Sequence, residues 1–329
     1  MNFFSNDSAS FHQKRKAACA RKPMPLLGAL ALLLTLVACS QTARTPTQTP
    51  TSTATPAPPT LTPTLTTTPT PKLVNWDLIW SDEFDTPDGS GVDTKKWTPS
   101  DGPDNGGNGE LDYYTPRLEN VYIENPTGKN GVLVIKTLEE KYETRRYTSG
   151  KLTTQDKFEQ MYGRFEGRIQ IPYGQGLWPA FWMLGSGSGW PWCGEIDIME
   201  NIGNEPNIIH GTMHGPLYSG GNSIGSPFAL PAGQRFADAF HVFAVEWEPN
   251  VIRWYVDNQL YKTNTQADLP AGAEWVFNHP FYIILDVAVG GAWPGYPDYT
   301  TVFPQTMKVE YVRVYARPGG WPTSTPTPT

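Results

Sequence analysis

Short apolar runs bounded by turn residues fill most of this chain, and their spacing constrains its fold more than any other feature. Between residues 72 and 317 these runs are rich in β-branched and aromatic residues, as strands are. The strand candidates include 132–135, 164–171, 195–200, 241–247, 252–256, 281–287 and 308–315. Helical periodicity is weak, with 232–239 as the best short candidate. The pattern predicts one all-β domain of two stacked antiparallel sheets, one of them bent to form a cleft.

Three acids interrupt one of the most apolar of these strands, at Glu195, Asp197 and Glu200. Unpaired buried charges are costly, so acids at such positions indicate a functional site. Strand alternation places Glu195 and Asp197 on one face and Glu200 on the other. One looped-out residue, at Ile198 or Met199, would return Glu200 to the first face, and β-bulges are frequent beside active sites.

Two carboxyl groups about 5–5.5 Å apart are the arrangement with which a glycosidase cleaves with retention of configuration. In this interpretation Glu195 is the nucleophile and Glu200 is first the general acid and then the general base. Asp197 lies between them and shares a proton with one neighbour, because crowded carboxylates raise one another's pKa. The alternative is an edge strand with solvated acids or a calcium site, but the Trp-rich surroundings favour catalysis.

The segment 195–200 resembles the catalytic signature of glycoside hydrolase family 16, in the form with an extra bulge residue. Other segments resemble the laminarinase-like branch of that family in the same order along the chain. They are residues 80–84, 109–115, 162–168, 176–182, 210–214, 290–295 and 309–315. The resemblance covers residues 74–317 and implies a β-jelly roll that hydrolyses β-1,3-glucans with retention.

Aromatic side chains near these acids are candidates for binding sugar rings, whose C–H faces are apolar. Trp178, Trp182 and Trp293 are the platform candidates. The resemblance further implies that Glu166 and Arg168 line the cleft near the nucleophile, where the arginine would favour its ionised form.

Four more polar residues belong to the predicted substrate site. The resemblance places Asn108 and Glu110 near the non-reducing side of the scissile bond. His210 and His214 have a spacing that suggests zinc. The metallopeptidase motif, however, needs a helix and a glutamate after the first histidine, and this segment has neither. We therefore expect His214 to contact sugar and His210 to be structural. Asp286 stands where the family commonly has Asn.

No cofactor is expected for catalysis, but the resemblance implies a structural calcium on the convex side. Its ligands would be the backbone carbonyls of Glu83 and Gly131 and the carboxylate of Glu310. Oxygen ligands suit calcium. The family's acid is usually Asp, and Glu310 is one methylene longer.

The N-terminal region resembles a targeting segment rather than part of the fold. Basic residues precede an apolar run, 24–38, that is shorter than the ~20 residues of a membrane span. We interpret residues 1–38 as a lipoprotein-type signal peptide, with lipid on Cys39, and an ordinary secretory signal as the alternative. Residues 39–71 and 318–329 are Thr/Pro-rich and are expected to be a linker and a tail. The expected location is extracytoplasmic, with membrane attachment only through the lipid.

The formal net charge of −7 makes nucleic acid an unsuitable partner, whereas a neutral β-glucan needs no charge of either sign. We expect a monomer. The G-x-S-x-G match at 221–225 lies in a Gly/Ser/Pro loop rather than at a strand–helix junction, so a serine hydrolase is disfavoured. A non-catalytic glucan-binding protein, or a hydrolase of mixed-linkage glucan, agarose or carrageenan, remains an alternative.

Overall fold

The computed structural model describes residues 75–321, apart from residues 105 and 106. The predicted signal peptide, Cys39, the linker and the end of the tail lie outside these residues. The strands of the described part are β1 (Asp77–Asp82), β2 (Thr98–Pro99), β3 (Gly102–Pro103), β4 (Asp112–Tyr114), β5 (Val121–Glu124), β6 (Val132–Tyr142), β7 (Arg145–Ser149), β8 (Lys151–Thr153), β9 (Gly163–Gln170), β10 (Leu177–Gly185), β11 (Glu195–Glu200), β12 (Ile208–His214), β13 (Ile224–Ala229), β14 (His241–Glu248), β15 (Val251–Val256), β16 (Gln259–Thr265), β17 (Phe281–Val289) and β18 (Gln305–Ala316).

Helix is limited, in this part of the chain, to three single 3-10 turns. They are Gly220–Asn222, Phe236–Asp238 and Gln266–Asp268. The second of them falls within the 232–239 helix candidate. No helix among the described residues is long and apolar enough to cross a membrane.

Two sheets contain these strands. The larger has the order β16-β15-β14-β9-β18-β6-β7-β4-β3, with β1 beside β18 and β5 beside β6. The smaller has the order β13-β12-β11-β10-β17-β8-β2. All pairings are antiparallel except that of β4 with β7. The all-β jelly-roll fold predicted from the sequence is confirmed.

The core lies between the two sheets and is built by alternation along each strand. Phe165 and Ile169 of β9 face it from the larger sheet, and Phe181 and Met183 of β10 face it from the smaller one. Gly167 faces the core as well, because a Cβ built on it would lie 3.0 Å from a ring carbon of Phe181, closer than ordinary van der Waals contact. The other face of the smaller sheet is therefore available for polar and aromatic side chains.

The two ends of the described chain meet. Trp321 packs against Trp76, with ring centroids 6.5 Å apart, and against Tyr162 at 6.0 Å. Arg317 lies over the ring of Trp321 at 5.1 Å. Ordered packing thus continues to Trp321, three residues past the predicted start of the tail at 318.

Candidate active site

A β-bulge in β11 brings the three acids to one face of the smaller sheet. The neighbouring strand β10 pairs Trp182 with Asp197 and Phe181 with Met199, so that Ile198 has no partner there. The register with β12 also shifts between Asp197 and Glu200. Strand alternation required a bulge at this position if Glu200 was to share a face with Glu195 and Asp197.

The side chains on the other face of β11 explain why the bulge is stable. Ile196, Ile198 and Met199 are all buried in the core, so two successive residues point inward at the bulge. Trp254 of β15, itself buried, donates its indole N–H to the backbone carbonyl of Asp197 at 2.8 Å. Apolar burial and this hydrogen bond hold the irregular backbone in place. We call the opposite face, which carries Glu195, Asp197 and Glu200, the catalytic face.

Hydrogen bonds from β12 connect the acids. Thr212 donates its hydroxyl to Asp197 and lies 3.4 Å from Glu200 Oε2. His214 Nε2 lies 3.0 Å from Asp197 Oδ2 and 3.9 Å from Glu195 Oε1. Asp197 is almost fully buried between the two glutamates. It therefore acts as the common acceptor that fixes the positions of its neighbours.

Each glutamate also accepts a hydrogen bond from a tryptophan. Trp190 Nε1 donates to Glu195 Oε2 at 2.6 Å, and Trp178 Nε1 donates to Glu200 Oε1 at 3.0 Å. Burial, and then the charge of Asp197, raises the pKa of Glu195 to about 8 and the pKa of Glu200 well above its ordinary value. The raised pKa of Glu200 favours its protonated form, which suits a general acid.

Aromatic rings flank the Glu200 end of the catalytic face. Trp293 packs edge-on against Trp178 at 5.5 Å and against His210 at 5.0 Å. His210 is the direct strand partner of Glu200, and its Nε2 is buried without a hydrogen-bond partner. His210 was expected to be structural, and its packing against Trp293 is compatible with that role, although its Nε2 is not satisfied.

A polar cluster adjoins the other tryptophan, Trp182. Its indole N–H donates to Asp286 Oδ1 at 2.6 Å, and Tyr114 donates its hydroxyl toward both Glu110 Oε2, at 2.9 Å, and Asp286 Oδ2, at 3.3 Å. The Lys151 ammonium lies over the rings of Trp182 and Tyr114. Burial, and then the charge of Asp286, raises the pKa of Glu110 to about 7.

The loop that carries Asn108 is joined to this cluster and to the loop of Trp293. Asn108 Nδ2 lies 3.4 Å from Glu110 Oε1, and its carbonyl accepts the Ala292 N–H at 2.7 Å. The structure therefore brings together eight residues predicted to be catalytic or substrate-binding, as well as Asp286. The eight are Asn108, Glu110, Trp178, Trp182, Glu195, Asp197, Glu200 and His214, and Trp293 borders them.

The predicted positions of Glu166 and Arg168 are wrong. Both lie on β9 in the larger sheet, and they point away from the core because Gly167 between them faces it. Glu166 accepts hydrogen bonds from Arg164 at 2.8 Å and Tyr315 at 3.2 Å. Arg168 pairs with Glu310. These residues form ion pairs on the outer surface of the sheet that does not carry the acids.

The residues predicted to bind calcium lie on β18 of that larger sheet or directly beside its strand neighbours. Glu83 follows β1 and Gly131 precedes β6, and both strands pair with β18, which contains Glu310. The Glu310 carboxylate is already paired with Arg168, which would compete with calcium for it. The backbone carbonyls of Glu83 and Gly131 are the other two expected ligands. Calcium here stays a prediction that would require Glu310 to leave Arg168.

One group of three metal-type side chains occurs among residues 75–104 and 107–321: Glu195, Asp197 and His214, whose donor atoms lie within 4.8 Å of one another. Two of them, Asp197 and His214, are in direct contact at 3.0 Å. His214 also receives the Gly220 backbone N–H on Nδ1 at 3.1 Å. We therefore interpret the group as a hydrogen-bonded unit rather than a metal centre.

Four residues of the site were not predicted from the sequence: Tyr114, Trp190, Thr212 and Lys151. The alternation of β12 does place Thr212 on the same face as His210 and His214, so that signal was present. Trp190 lies in a loop, and Lys151 lies on a three-residue strand. Neither has a periodic context from which its direction could be predicted.

A jelly-roll sandwich with a row of carboxyl groups between tryptophan rings defines a carbohydrate-cleaving site. The sequence profile described as "Glycosyl hydrolases family 16" matches residues 120–313. A second profile, described as "Beta-glucan synthesis-associated protein SKN1/KRE6/Sbg1", matches residues 37–191. The chain belongs to glycoside hydrolase family 16.

Similar proteins support this assignment over the same part of the chain. A beta-glucanase of Rhodothermus marinus is 43% identical over 260 residues, which cover 74% of this chain and 86% of that protein. The catalytic domain of an endo-1,3-beta-glucanase (laminarinase) from Thermotoga petrophila RKU-1 has a TM-score of 0.69 and 46% identity, covering 74% of this chain and 99% of that one. The endo-beta-1,3-glucanase from Pyrococcus furiosus has a TM-score of 0.68 and 48% identity, covering 74% and 95%.

Proposed function

We propose that this protein is an endo-β-1,3-glucanase that hydrolyses laminarin-type glucans by a retaining double displacement. The observation that carries the proposal is the bulge of β11, which brings Glu195, Asp197 and Glu200 to one face among tryptophan rings. Relatives named for β-1,3-glucanase activity supply the substrate class.

In the first displacement, Glu200 donates its proton to the glycosidic oxygen while Glu195 attacks the anomeric carbon. The leaving chain departs as an alcohol, and a covalent glycosyl–Glu195 ester remains. Glu200 suits the donor role because its raised pKa keeps the proton available near neutral pH. Glu195 must be ionised to attack, so kcat/KM should rise with pH across the acid side of the profile.

In the second displacement, the ionised Glu200 removes a proton from water, and the water oxygen attacks the anomeric carbon of the ester. Glu195 is released as a carboxylate, and Glu200 is again protonated. Asp197 stays between the two groups, held by Thr212 and His214. Its role is to hold both glutamates in position and to raise their pKa values through its charge.

The substrate would lie across the catalytic face between two aromatic regions. Trp178 and Trp293 flank the Glu200 end, and Trp182 adjoins the polar cluster of Glu110 and Asp286. Stacking of glucosyl rings on these indoles and hydrogen bonds from the polar groups would bind a neutral chain.

A product profile tests the proposal. The purified protein is incubated with laminarin, barley mixed-linkage glucan, agarose and carrageenan, and the products are separated by chromatography. Short β-1,3-linked oligosaccharides from laminarin are expected, and the barley result distinguishes strict from broad β-glucan specificity. Glucan binding without products from any polymer would instead identify a non-catalytic binding protein.

We also propose that the enzyme acts outside the cytoplasm, anchored by lipid on Cys39. The support is the sequence pattern of basic residues, an apolar run and Cys39 ahead of a Thr/Pro-rich segment. Cys39→Ser should move the protein from the membrane fraction to the soluble fraction. Unchanged fractionation would support an ordinary signal peptide.

A further inference from the structure

Exposed aromatic side chains cluster beside the Glu200 end of the catalytic face. Tyr296 and Tyr299 follow Trp293 in the loop after β17, and Tyr173 lies between β9 and β10. Tyr299 is 98% exposed, Tyr296 is 56% exposed and Tyr173 is 44% exposed. Exposed apolar side chains are ordinary when they are scattered, whereas a cluster of them indicates a binding surface. We call Tyr173, Tyr296 and Tyr299 the tyrosine row.

One end of the tyrosine row adjoins the predicted substrate site. A Cβ built on Gly109, the residue between Asn108 and Glu110, would lie 3.4 Å from the Tyr296 hydroxyl oxygen. A Cβ built on Gly290 would lie 3.0 Å from a ring carbon of Tyr296. The Tyr296 ring is therefore packed on one side against the loops of the site, and its other side is exposed.

The turn that carries Tyr299 is attached to the segment before β10. Thr301 donates its N–H to the Asp298 carbonyl at 3.1 Å and its hydroxyl to the Gln175 carbonyl at 2.8 Å. These bonds fix the turn while the Tyr299 ring stays in solvent. Tyr173 lies two residues before Gln175, so the row continues from Tyr299 to Tyr173 along the outside of the loops.

Tyr173, at the far end of the row, is oriented by a cation. The Arg235 guanidinium lies over its ring at 4.5 Å from the centroid and also pairs with Asp238 at 2.6 Å. One face of the ring is thus covered, and charged groups that can bond to hydroxyls lie beside it. A fixed aromatic ring with polar groups at its side is typical of sugar-binding surfaces.

We propose that the tyrosine row is a second glucan-binding surface, which holds a neutral β-glucan chain outside the catalytic face, beside the chain that is cleaved. The proposal takes the polymer from the glucanase function given above and so rests on it. An insoluble polysaccharide presents neighbouring chains side by side, so an enzyme that holds the next chain remains at the surface of the polymer.

Charge and position favour a neutral polysaccharide as the occupant. The loop 290–302 contains one charged residue, Asp298, and its carboxylate accepts the Thr300 N–H at 2.8 Å within the turn. The row also begins beside the loop of Asn108, where the polymer is already bound during cleavage. Neutral tyrosine rings suit the apolar C–H faces of glucosyl units.

Adsorption to an insoluble β-1,3-glucan tests the proposal. The Glu195→Gln protein is used so that the polymer is not consumed, and an excess of soluble laminaritetraose occupies the catalytic face. The remaining adsorption is measured as depletion of protein from the supernatant. We expect its affinity to fall about threefold with Tyr299→Ala and about tenfold when Tyr173→Ala is added.

Tyr122→Ala is the matched control, because Tyr122 is a partly exposed tyrosine on β5 of the larger sheet. Its adsorption should equal that of the protein with all tyrosines present. With Glu195 restored, the Tyr173→Ala/Tyr299→Ala protein should keep kcat/KM on laminaritetraose within about twofold. Its hydrolysis of the insoluble glucan should fall in proportion to the lost adsorption.

Three outcomes decide the matter. Equal adsorption of the tyrosine-row variants and Tyr122→Ala would overturn the second surface. A matching loss of activity on laminaritetraose would also overturn it, because the tyrosines would then act within the catalytic face. Adsorption that depends on the tyrosine row, in a protein that cleaves no glucan with Glu195 present, would support the surface and refute the glucanase function.

Discussion

At the scale of single residues, the Tyr114 hydroxyl has one proton and two carboxyl acceptors, Glu110 and Asp286. Tyr114 can donate to only one of them at a time. When it donates to Asp286, Glu110 can keep a hydrogen bond to the Tyr114 oxygen only if Glu110 is itself protonated and acts as the donor. The raised pKa of Glu110, about 7, agrees with this arrangement. Asn at position 286 would remove the conflict, because an amide can donate to Tyr114 while its oxygen accepts from Trp182.

Asp286→Asn should therefore make the fold more stable above neutral pH. The pKa of Glu110 is raised in the folded protein from 4.5 to about 7, so the folded state binds more protons than the unfolded state between these values. Stability consequently falls as pH rises through that window. The variant removes the charge of Asp286 and should gain about 1 kcal/mol at pH 8 and less at pH 5. Calorimetry at both pH values would contradict this if the gain were equal or absent.

The two catalytic glutamates should respond differently to added azide. Glu195→Gln removes the nucleophile, and Glu200→Gln removes the acid and base, so each should lower kcat on laminarin by on the order of a thousandfold. With an aryl laminaribioside, whose leaving group needs no acid, Glu200→Gln still forms the ester, and azide should capture it as a β-glycosyl azide. In Glu195→Gln, azide could only displace the aryl group directly and would give the α-glycosyl azide, which proton NMR distinguishes from the β-anomer. A β-glycosyl azide from Glu195→Gln would show that the roles are wrongly assigned.

At the scale of elements, the bulge of β11 is the feature that converts an apolar strand into a site. Alternation alone predicted the faces of Glu195 and Asp197, and the need for a shared face predicted an extra residue near Ile198. The family resemblance, by contrast, led to a wrong position for Glu166 and Arg168. Alternation shows that they share a face of β9, but it does not show which face is covered by the second sheet. The packing of Gly167 against Phe181 shows that the Gly167 face is the covered one. That contact is between β9 and β10, which belong to different sheets, and the sequence alone does not predict that they face each other.

Deletions within the bulge test its role. Without Met199, regular alternation would place Glu195, Asp197 and Glu200 on one face again, whereas without both Ile198 and Met199 it would place Glu200 in the core. We expect the single deletion to retain measurable laminarin hydrolysis with a lower Tm, and the double deletion to retain none. A single-deletion variant that has native circular dichroism but no activity would show that the bulge does more than set the face.

At the scale of the whole domain, the described chain ends are joined by aromatic packing of Trp76, Tyr162 and Trp321. The sequence placed Trp321 within a Thr/Pro-rich tail, because composition alone does not distinguish a single anchoring ring from the residues around it. The fold itself was predictable, since strand spacing indicated two stacked antiparallel sheets and the family resemblance implied the jelly roll. The arrangement of the loops around the acids was not, since loop residues carry no periodicity.

Trp321→Ala should destabilise the domain by about 1–2 kcal/mol and lower Tm by about 2–4 °C, because partly buried ring contacts are lost. Trp192→Ala is a suitable control, since that ring is more than half exposed and should leave Tm nearly unchanged. Equal Tm values for both variants and the unmodified protein, measured by differential scanning calorimetry, would place Trp321 outside the folded unit.

The stereochemistry of the first product tests the central claim most directly. Proton NMR can follow the anomeric signals of laminarin-derived oligosaccharides during the first minutes of hydrolysis, before mutarotation. Double displacement through Glu195 and Glu200 predicts that the β-anomer appears first and the α-anomer only later. Initial release of the α-anomer would contradict the account, because it would require direct attack by water and would leave Glu195 without its role as nucleophile.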